Sequence, residues 1–393
     1  MKSREFVLLC LVGCLCFVSY DLVRRPALAL FAESLGATPS QVGIIIALST
    51  LTGVMLKLPI GVASDILDRR KLMILGLLAF AFPPFVYPWI TDLAMLGALR
   101  FCHGLATAVF TPLALAVVAE TYAVRRGEAL GWYTSATQGG GLLGPSLGGV
   151  LVYAVGFGPT FVTAGLFGLI SLAVFFLIRQ PSPPVSSSKS AEQVFHEVRD
   201  GIRAVLRHRG ILLTSMTEAA KMMANGTLMA FLPLYGVAIG LNAAQVGLLF
   251  GVQALTSFVS KPIMGRVSDQ VGRIPLIVCG LCLCGGTILF IPAVSTFALL
   301  LLLAAGFGFG EAVVTSSSAA LIADLAREKA IGAGMGLRGT IMDMGHAGGP
   351  LLAGVLIDQI GYGGGFGVMG TIPLLAAATF GVLMMGLRRP AML

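Results

Sequence analysis

Four carboxylates interrupt long apolar runs of this chain: Asp21, Glu218, Glu311 and Asp343. Seven bases stand in the same kind of surroundings: Arg24, Arg25, Lys57, Arg100, Lys221, Lys261 and Arg338. A carboxyl group among apolar neighbours takes up or releases a proton as nearby charges change. Guanidinium and ammonium groups hold carboxylates and phosphates. Each such charge costs about 2.5–3.5 kcal/mol at the centre of a bilayer. They must therefore line an aqueous cavity or pair with one another. Asp21 lies three and four residues before Arg24 and Arg25, and Glu218 three before Lys221. That spacing puts the partners on one helix face, where they can simply neutralise each other. Glu311 has no same-helix partner and is the first candidate for proton exchange, with Asp21 and Asp343 next and Glu218 after them. Asp343 and Arg338, five apart, do not share a face. His346 sits three residues after Asp343, where it either joins that acid or packs as an ordinary hydrogen-bonded histidine. Arg100, near a helix end, can snorkel; it and His103 are also candidates for substrate contact. Lys57 and Lys261 lie about one and a half turns inside theirs, placed for snorkelling or for ligand contact.

The elements that must position these residues are apolar helices. The chain has 393 residues, 56% hydrophobic and 11% charged, with mean hydropathy +0.92. A soluble domain carries about 25% charged residues. Twelve spans are expected at 6–31, 41–64, 72–90, 93–119, 129–154, 159–179, 210–236, 244–266, 274–293, 296–321, 331–357 and 366–387. Each is near or above the ~20 residues a crossing helix needs. The net charge of +8 does not imply a nucleic-acid partner, because the basic residues punctuate the apolar segments and form no soluble patch. The other nineteen Lys and Arg fall at the termini and the even-numbered turns, and the six remaining turns have none. Both termini are then cytoplasmic by the positive-inside rule. The Ala27-Leu28-Ala29 resemblance to a signal-peptide cleavage site is discounted, because Asp21, Arg24 and Arg25 interrupt it. The seven cysteines lie in apolar segments and read as small core residues, neither disulfides nor metal ligands. Residues 180–190 read as a linker and 191–208 as a basic amphipathic helix at the membrane surface.

The chain repeats itself. Lys57-x3-Gly61-x2-Ser64-Asp65-x3-Arg69 returns as Lys261-x3-Gly265-x2-Ser268-Asp269-x3-Arg273, 204 residues on. Gly131-x8-Gly140-x3-Gly144-Pro145-x2-Gly148 returns as Gly336-x8-Gly345-x3-Gly349-Pro350-x2-Ala353, at an offset of 205. Gly36-x4-Gln41-Val42-Gly43 returns as Gly240-x4-Gln245-Val246-Gly247. The copies run in the same direction, a parallel repeat. The glycine stripe has a plain packing explanation, since small residues four apart let helices approach closely, with Pro145 and Pro350 adding kinks.

These residues resemble the major facilitator superfamily across the whole chain. Gly61-x3-Asp65-x3-Arg69-Arg70 and Gly265-x3-Asp269-x2-Gly272-Arg273 resemble its two loop signatures. Arg100-x2-His103-Gly104 resembles its fourth-helix motif, and the Gly131–Gly149 pattern the fifth-helix motif of its proton-coupled drug antiporters. Ile66, Asp68 and His103 depart from the family pattern. Asp68 becomes a local partner for Arg69 or Lys71, and His103, where the family has Gln, a protonatable substitute. The resemblance implies an all-α polytopic fold of twelve helices in two six-helix bundles, 1–179 and 210–393, joined by 180–209, with helices one, four, seven and ten lining a cavity. It implies a cytoplasmic gate in which Gly61 and Gly265 allow tight contact. Asp65 and Asp269 would accept hydrogen bonds from a helix N-terminus, and Arg69, Arg70 and Arg273 would reinforce them.

The expected function is secondary transport by alternating access, with a proton gradient driving export of amphipathic or hydrophobic small molecules. An acid such as Glu311 or Asp21 would hold proton and cargo in alternation. The rival expectation is transport of an organic or lipid-like anion clamped by Arg24, Arg25, Lys221 and Arg338; a non-transporting sensor is remote. No nucleophile or metal motif stands out, so no enzyme and no cofactor are expected. The partners are a small molecule, protons and lipid, and the chain acts as a monomer.

Overall fold

The structure is a computed structural model and describes residues 3–64, 67–122, 125–178, 208–325 and 331–388. The described residues are helical almost throughout. In order they form α1 (Ser3–Leu22), α2 (Leu28–Ser34), α3 (Pro39–Ala63), α4 (Arg69–Ala81), α5 (Pro83–Val86), α6 (Leu93–Thr121), α7 (Arg126–Val155) and α8 (Phe157–Phe176). The second half continues with α9 (Arg209–Ala238), α10 (Ala243–Val271), α11 (Arg273–Phe290), α12 (Phe297–Leu325) and α13 (Ile331–Arg388). Helix α13 is two helices end to end, divided at Gly361, whose φ of 71° interrupts the helical dihedrals. Pro145 and Pro350 sit inside helices that stay continuous, so the expected kinks do not break them.

Among the described residues, nine stretches are long and apolar enough to cross a membrane by length and composition. Two further helices fall short for chemical reasons. Helix α7 is rich in glycine and polar residues, and α9 carries Arg209, Glu218 and Lys221. The expected amphipathic helix at 191–208 and its linker lie outside the described residues, apart from His208. There His208 Nδ1 accepts from the Ile211 amide at 3.4 Å and caps α9.

Two compact units emerge from the packing: Met1–Ala37, Leu48–Val194 and Gly240–Gly251 in one; Thr38–Ala47, Phe195–Ile239 and Val252–Leu393 in the other. In the first unit α7 lies against α1. A Cβ on Gly140 would collide with the Cys14 carbonyl, and one on Gly144 would lie 3.0 Å from the Val18 carbonyl. In the second unit α13 lies against α9, and Gly345 and Gly349 meet the carbonyls of Ala219 and Met223 in the same way. Gly104 against Ser49, and Gly308 against Gln253, repeat the device between α6 and α3 and between α12 and α10. Without water, hydrocarbon offers helices little reason to associate, so backbone approach through small residues carries much of the adhesion.

Aromatic triads reinforce each unit. Phe31, Phe157 and Phe161 pack with centroids 5.2–6.3 Å apart, and Tyr235, Tyr362 and Phe366 do so at 5.7–6.4 Å, with matching edge and stacked geometries. The first triad ties α2 to the start of α8, and the second ties the end of α9 to the part of α13 that follows Gly361.

Leucine at Gly140 or Gly345 is expected to cost about 1–3 kcal/mol through overpacking. It should lower the melting temperature in detergent and the monodisperse yield. Alanine at Gly131 or Gly336, where an added Cβ meets open space, should leave both unchanged. Thermal unfolding followed by size-exclusion fluorescence compares them.

Candidate functional site

The second unit buries an ionic cluster. Glu218 and Lys221 project from α9 and have no exposed surface; Arg338 comes from α13 and is 8% exposed. Lys221 Nζ lies 2.7 Å from Glu218 Oε2 as an ion pair, and donates its directed hydrogen bond to Thr315 Oγ1 at 2.7 Å. Arg338 NH2 donates to Glu218 Oε1 at 2.7 Å, and Ser318 donates to the same oxygen. One carboxylate thus satisfies two cations and a hydroxyl. Such an arrangement is stable only when complete, because removing one partner leaves the others charged in an apolar interior. Lys221 and Arg338 are therefore committed to Glu218, and the same-helix pairing of Glu218 with Lys221 is part of a three-helix tie.

Glu311 is placed differently. It stands at the midpoint of α12, half-buried. Among the described residues it has no hydrogen-bond or ion-pair partner, while Lys261 of α10 lies within electrostatic reach. Of the four apolar-run acids, Glu218 is saturated and Asp21 faces Arg25 at 3.7 Å. Asp343 and His346 are half-buried and take part in interactions of their own. Lys57 is half-buried on α3, its chain lying along Gly53.

The first unit buries a different cluster. Arg100 of α6 has no exposed surface, so the snorkelling expectation fails: the side chain turns inward. Its NH2 donates to Ser49 Oγ, and its NH1 donates to Tyr87 Oη at 3.3 Å. Its guanidinium lies over the Tyr20 ring, 5.8 Å from the centroid. Tyr87 Oη and His103 Nδ1 are 3.1 Å apart, and Arg100 NH1 lies 3.4 Å from the same nitrogen. Because Arg100 has only donors, the network runs in one direction: Arg100 donates to Tyr87, Tyr87 donates to Nδ1, and the His103 proton resides on Nε2. A neutral His103 fits this arrangement; a protonated one would turn a donor toward a guanidinium. His103 thus serves as a terminal acceptor, the work a glutamine oxygen also performs.

Close by, α1 breaks. Arg25 is extended (φ −141°, ψ 123°) and Pro26 follows, so the segment Val23–Ala27 separates α1 from α2. Pro26 lacks the amide that would continue the ladder. Arg24 donates to Thr50 Oγ1 at 3.4 Å and lies over Tyr20 at 5.5 Å, and Arg25 lies over Phe250 at 5.9 Å. Sequence reasoning named the two arginines and missed the break, although Pro26 beside them was the available signal.

Both loop signatures hold ion pairs among the described residues. Asp65 lies outside the described residues. Asp68 does not pair with the Arg69 or Lys71 side chains. It caps α4, accepting from the amides of Arg70 and Lys71 at 2.9 and 3.4 Å. Arg69 pairs with Glu120 at 2.5 Å and donates to the Ser64 carbonyl at 3.1 Å. Arg70 NH1 reaches the Ile178 carbonyl at 2.8 Å beyond the end of α8. In the second unit Arg273 pairs with Asp269 at 2.5 Å and Asp324 at 3.2 Å, and donates to Ser268 Oγ at 2.7 Å. Asp269 therefore meets a side chain and not a helix N-terminus. A Cβ on Gly265 would meet open space, so this glycine makes no tight helix contact. Glu120 and Asp324 were missed. They stand 204 residues apart, the offset of the signatures they serve. Among the described residues no group of three His, Cys, Asp or Glu is arranged to hold a metal.

Glu218→Gln should destabilise the protein by about 3–5 kcal/mol by leaving two buried cations unpaired, read as a fall in melting temperature. His103→Gln should preserve the melting temperature and the pH profile of whatever activity is followed, whereas His103→Leu, which removes the acceptor of Tyr87, should lower the former.

The sequence model of the Major Facilitator Superfamily matches residues 9–243 and 214–392. An uncharacterised transporter of that type, MJ1560 of Methanocaldococcus jannaschii, is 23% identical over 340 residues, 86% of this chain and 87% of its own. The multidrug resistance protein MdtG of Salmonella arizonae is 25% identical over 380 residues, 93% of this chain and 92% of its own. The fold is similar to that of a POT family transporter solved with a thioalcohol-conjugated peptide (TM-score 0.82, 14% identity, covering 98% of this chain and 96% of that one). It is also similar to that of a bacterial homologue of the lysosomal transporter Spinster (TM-score 0.76, 14% identity, 97% and 95%). With the matched residues spanning both repeats, the chain belongs to the Major Facilitator Superfamily: it is an all-α, membrane-embedded transporter of a small molecule and not an enzyme.

Proposed function

We propose that this transporter exports amphipathic or hydrophobic small molecules in exchange for protons, by alternating access in the cytoplasmic membrane, with both termini on the cytoplasmic side. The observation that carries the proton coupling is Glu311: an acid at the midpoint of a 29-residue helix, half-buried, with no hydrogen-bond or ion-pair partner among the described residues. A carboxyl group without a dedicated partner changes protonation state without breaking the fold, which Glu218 cannot do. Lys261 lies within electrostatic reach of Glu311, and binding of a proton to the acid alternates with binding of the cargo. The name of the similar MdtG protein, a multidrug resistance protein, supports export of varied amphiphiles. The excess of Lys and Arg at the termini and even-numbered turns supports the orientation.

In proteoliposomes with an imposed pH gradient and an internal pH dye, adding amphiphiles should move protons opposite to the amphiphile. Glu311→Gln should abolish that signal while leaving folding intact; Asp21→Asn should reduce it less. Substrate movement without any proton signal in the wild type would overturn the proposal. So would a proton signal of wild-type size in Glu311→Gln.

A further inference from the structure

The two repeats share their packing but not their buried charges, and the first unit's cluster has no counterpart in the second. The positions equivalent to Tyr20, Tyr87, Arg100 and His103 hold Ala224, Ile291, Ala304 and Phe307, each 204 residues on. The fold is thus built in the second unit without a cation at this place, so Arg100 is not a requirement of the architecture.

Its local chemistry is unbalanced. Arg100 has no exposed surface, and its partners Ser49, Tyr87, His103 and Tyr20 offer hydroxyl, imidazole and ring groups, none of them a carboxylate. Among the described residues no carboxylate lies within ion-pair distance of it; the nearby acid, Asp21, faces Arg25 at 3.7 Å. Arg100 Nε and His103 Nε2, both on side chains with no exposed surface, have no hydrogen-bond partner among the described residues. The direction of the Tyr87 network puts a proton on that Nε2, so both orphaned atoms are N–H donors. They belong to residues three apart on α6, which share one helix face. A buried guanidinium without a carboxylate partner, beside a second unused donor, is the chemistry that an oxyanion completes.

We propose that Arg100 and His103 form a receptor for the anionic group, a carboxylate or a phosphate monoester, of an amphipathic cargo. The inference rests on the transport reading above and narrows its cargo to amphiphiles that carry a negative group. It also has an energetic consequence. Export of an anion against proton entry moves charge inward twice in each cycle, so the membrane potential as well as the pH gradient drives it.

The test uses the full-length protein in neutral-lipid nanodiscs. Three probes with one tail are titrated calorimetrically: octyl phosphate, octyltrimethylammonium and octanol. Octyl phosphate should bind about tenfold or more tighter than octyltrimethylammonium, and Arg100→Gln should remove that preference while octanol binding is kept. Arg100→Lys should retain part of it, as a point charge without the planar fork. Equal or weaker binding of octyl phosphate in the wild type, a comparison that needs no variant, would overturn the proposal. So would an undiminished preference in a folded Arg100→Gln protein. Glu311→Gln separates the two readings. It should keep the octyl phosphate preference and lose proton movement. Proton-coupled export of octyltrimethylammonium without an anion preference would leave the transport reading standing and remove the receptor.

Discussion

Hydrocarbon offers a buried charge no partner, so an ionic group inside these helices depends on partners that the protein or a bound molecule supplies. That constraint orders the second unit. Glu218 gathers Lys221 and Arg338, each at 2.7 Å, and so ties α9 to α13, with Ser318 and Thr315 of α12 closing the cluster. The cluster holds three helices together through one carboxylate, and it is stable only while all its members are present. With this acid committed, the proposed proton exchange rests on Glu311, on the same helix as Ser318.

The internal repeat makes it possible to separate packing from chemistry. Glycines at matching positions meet matching carbonyls, Gly140 with Cys14 and Gly345 with Ala219 among them, and the aromatic triads coincide in geometry. These shared contacts are the architecture. The departures are nearly all polar. Where the second unit has Glu218, Lys221 and Arg338, the first has Cys14, Phe17 and Tyr133. Where the first has Arg100 and His103, the second has Ala304 and Phe307. A common backbone plan therefore carries two distinct buried chemistries. One is closed by its own carboxylate and the other is left with cation and donor to spare.

Much of this was legible from residue types and offsets. The helices lie within a few residues of the expected spans because apolar length decides them, and the family followed from the loop signatures. Glycine spacing foretold close packing at Gly140, Gly144, Gly345 and Gly349. What escaped the sequence was partner choice across helices. Local spacing suggested that Asp68 pairs with its neighbouring bases; the structure uses it as a helix cap, and Arg69 reaches 51 residues ahead to Glu120. Arg100, near a helix end, invited a snorkelling reading, yet Ser49 and Tyr87 on other segments draw it inward. Gly265 carried a signature's glycine without the contact it suggests. Such errors share a cause: periodicity gives the face of a helix, while the identity of the opposing helix is a tertiary fact.

The central claim is that buried charge in this protein divides into a fixed part and a titrating part, with Glu311 titrating and Glu218 fixed. Infrared difference spectroscopy of reconstituted protein across a pH jump tests it most directly, because a protonated carboxyl group has its own C=O stretching band. The account predicts one such band that disappears in Glu311→Gln and persists in Asp21→Asn. A band unchanged in Glu311→Gln, or one that disappears in a folded Glu218→Gln protein, would contradict it.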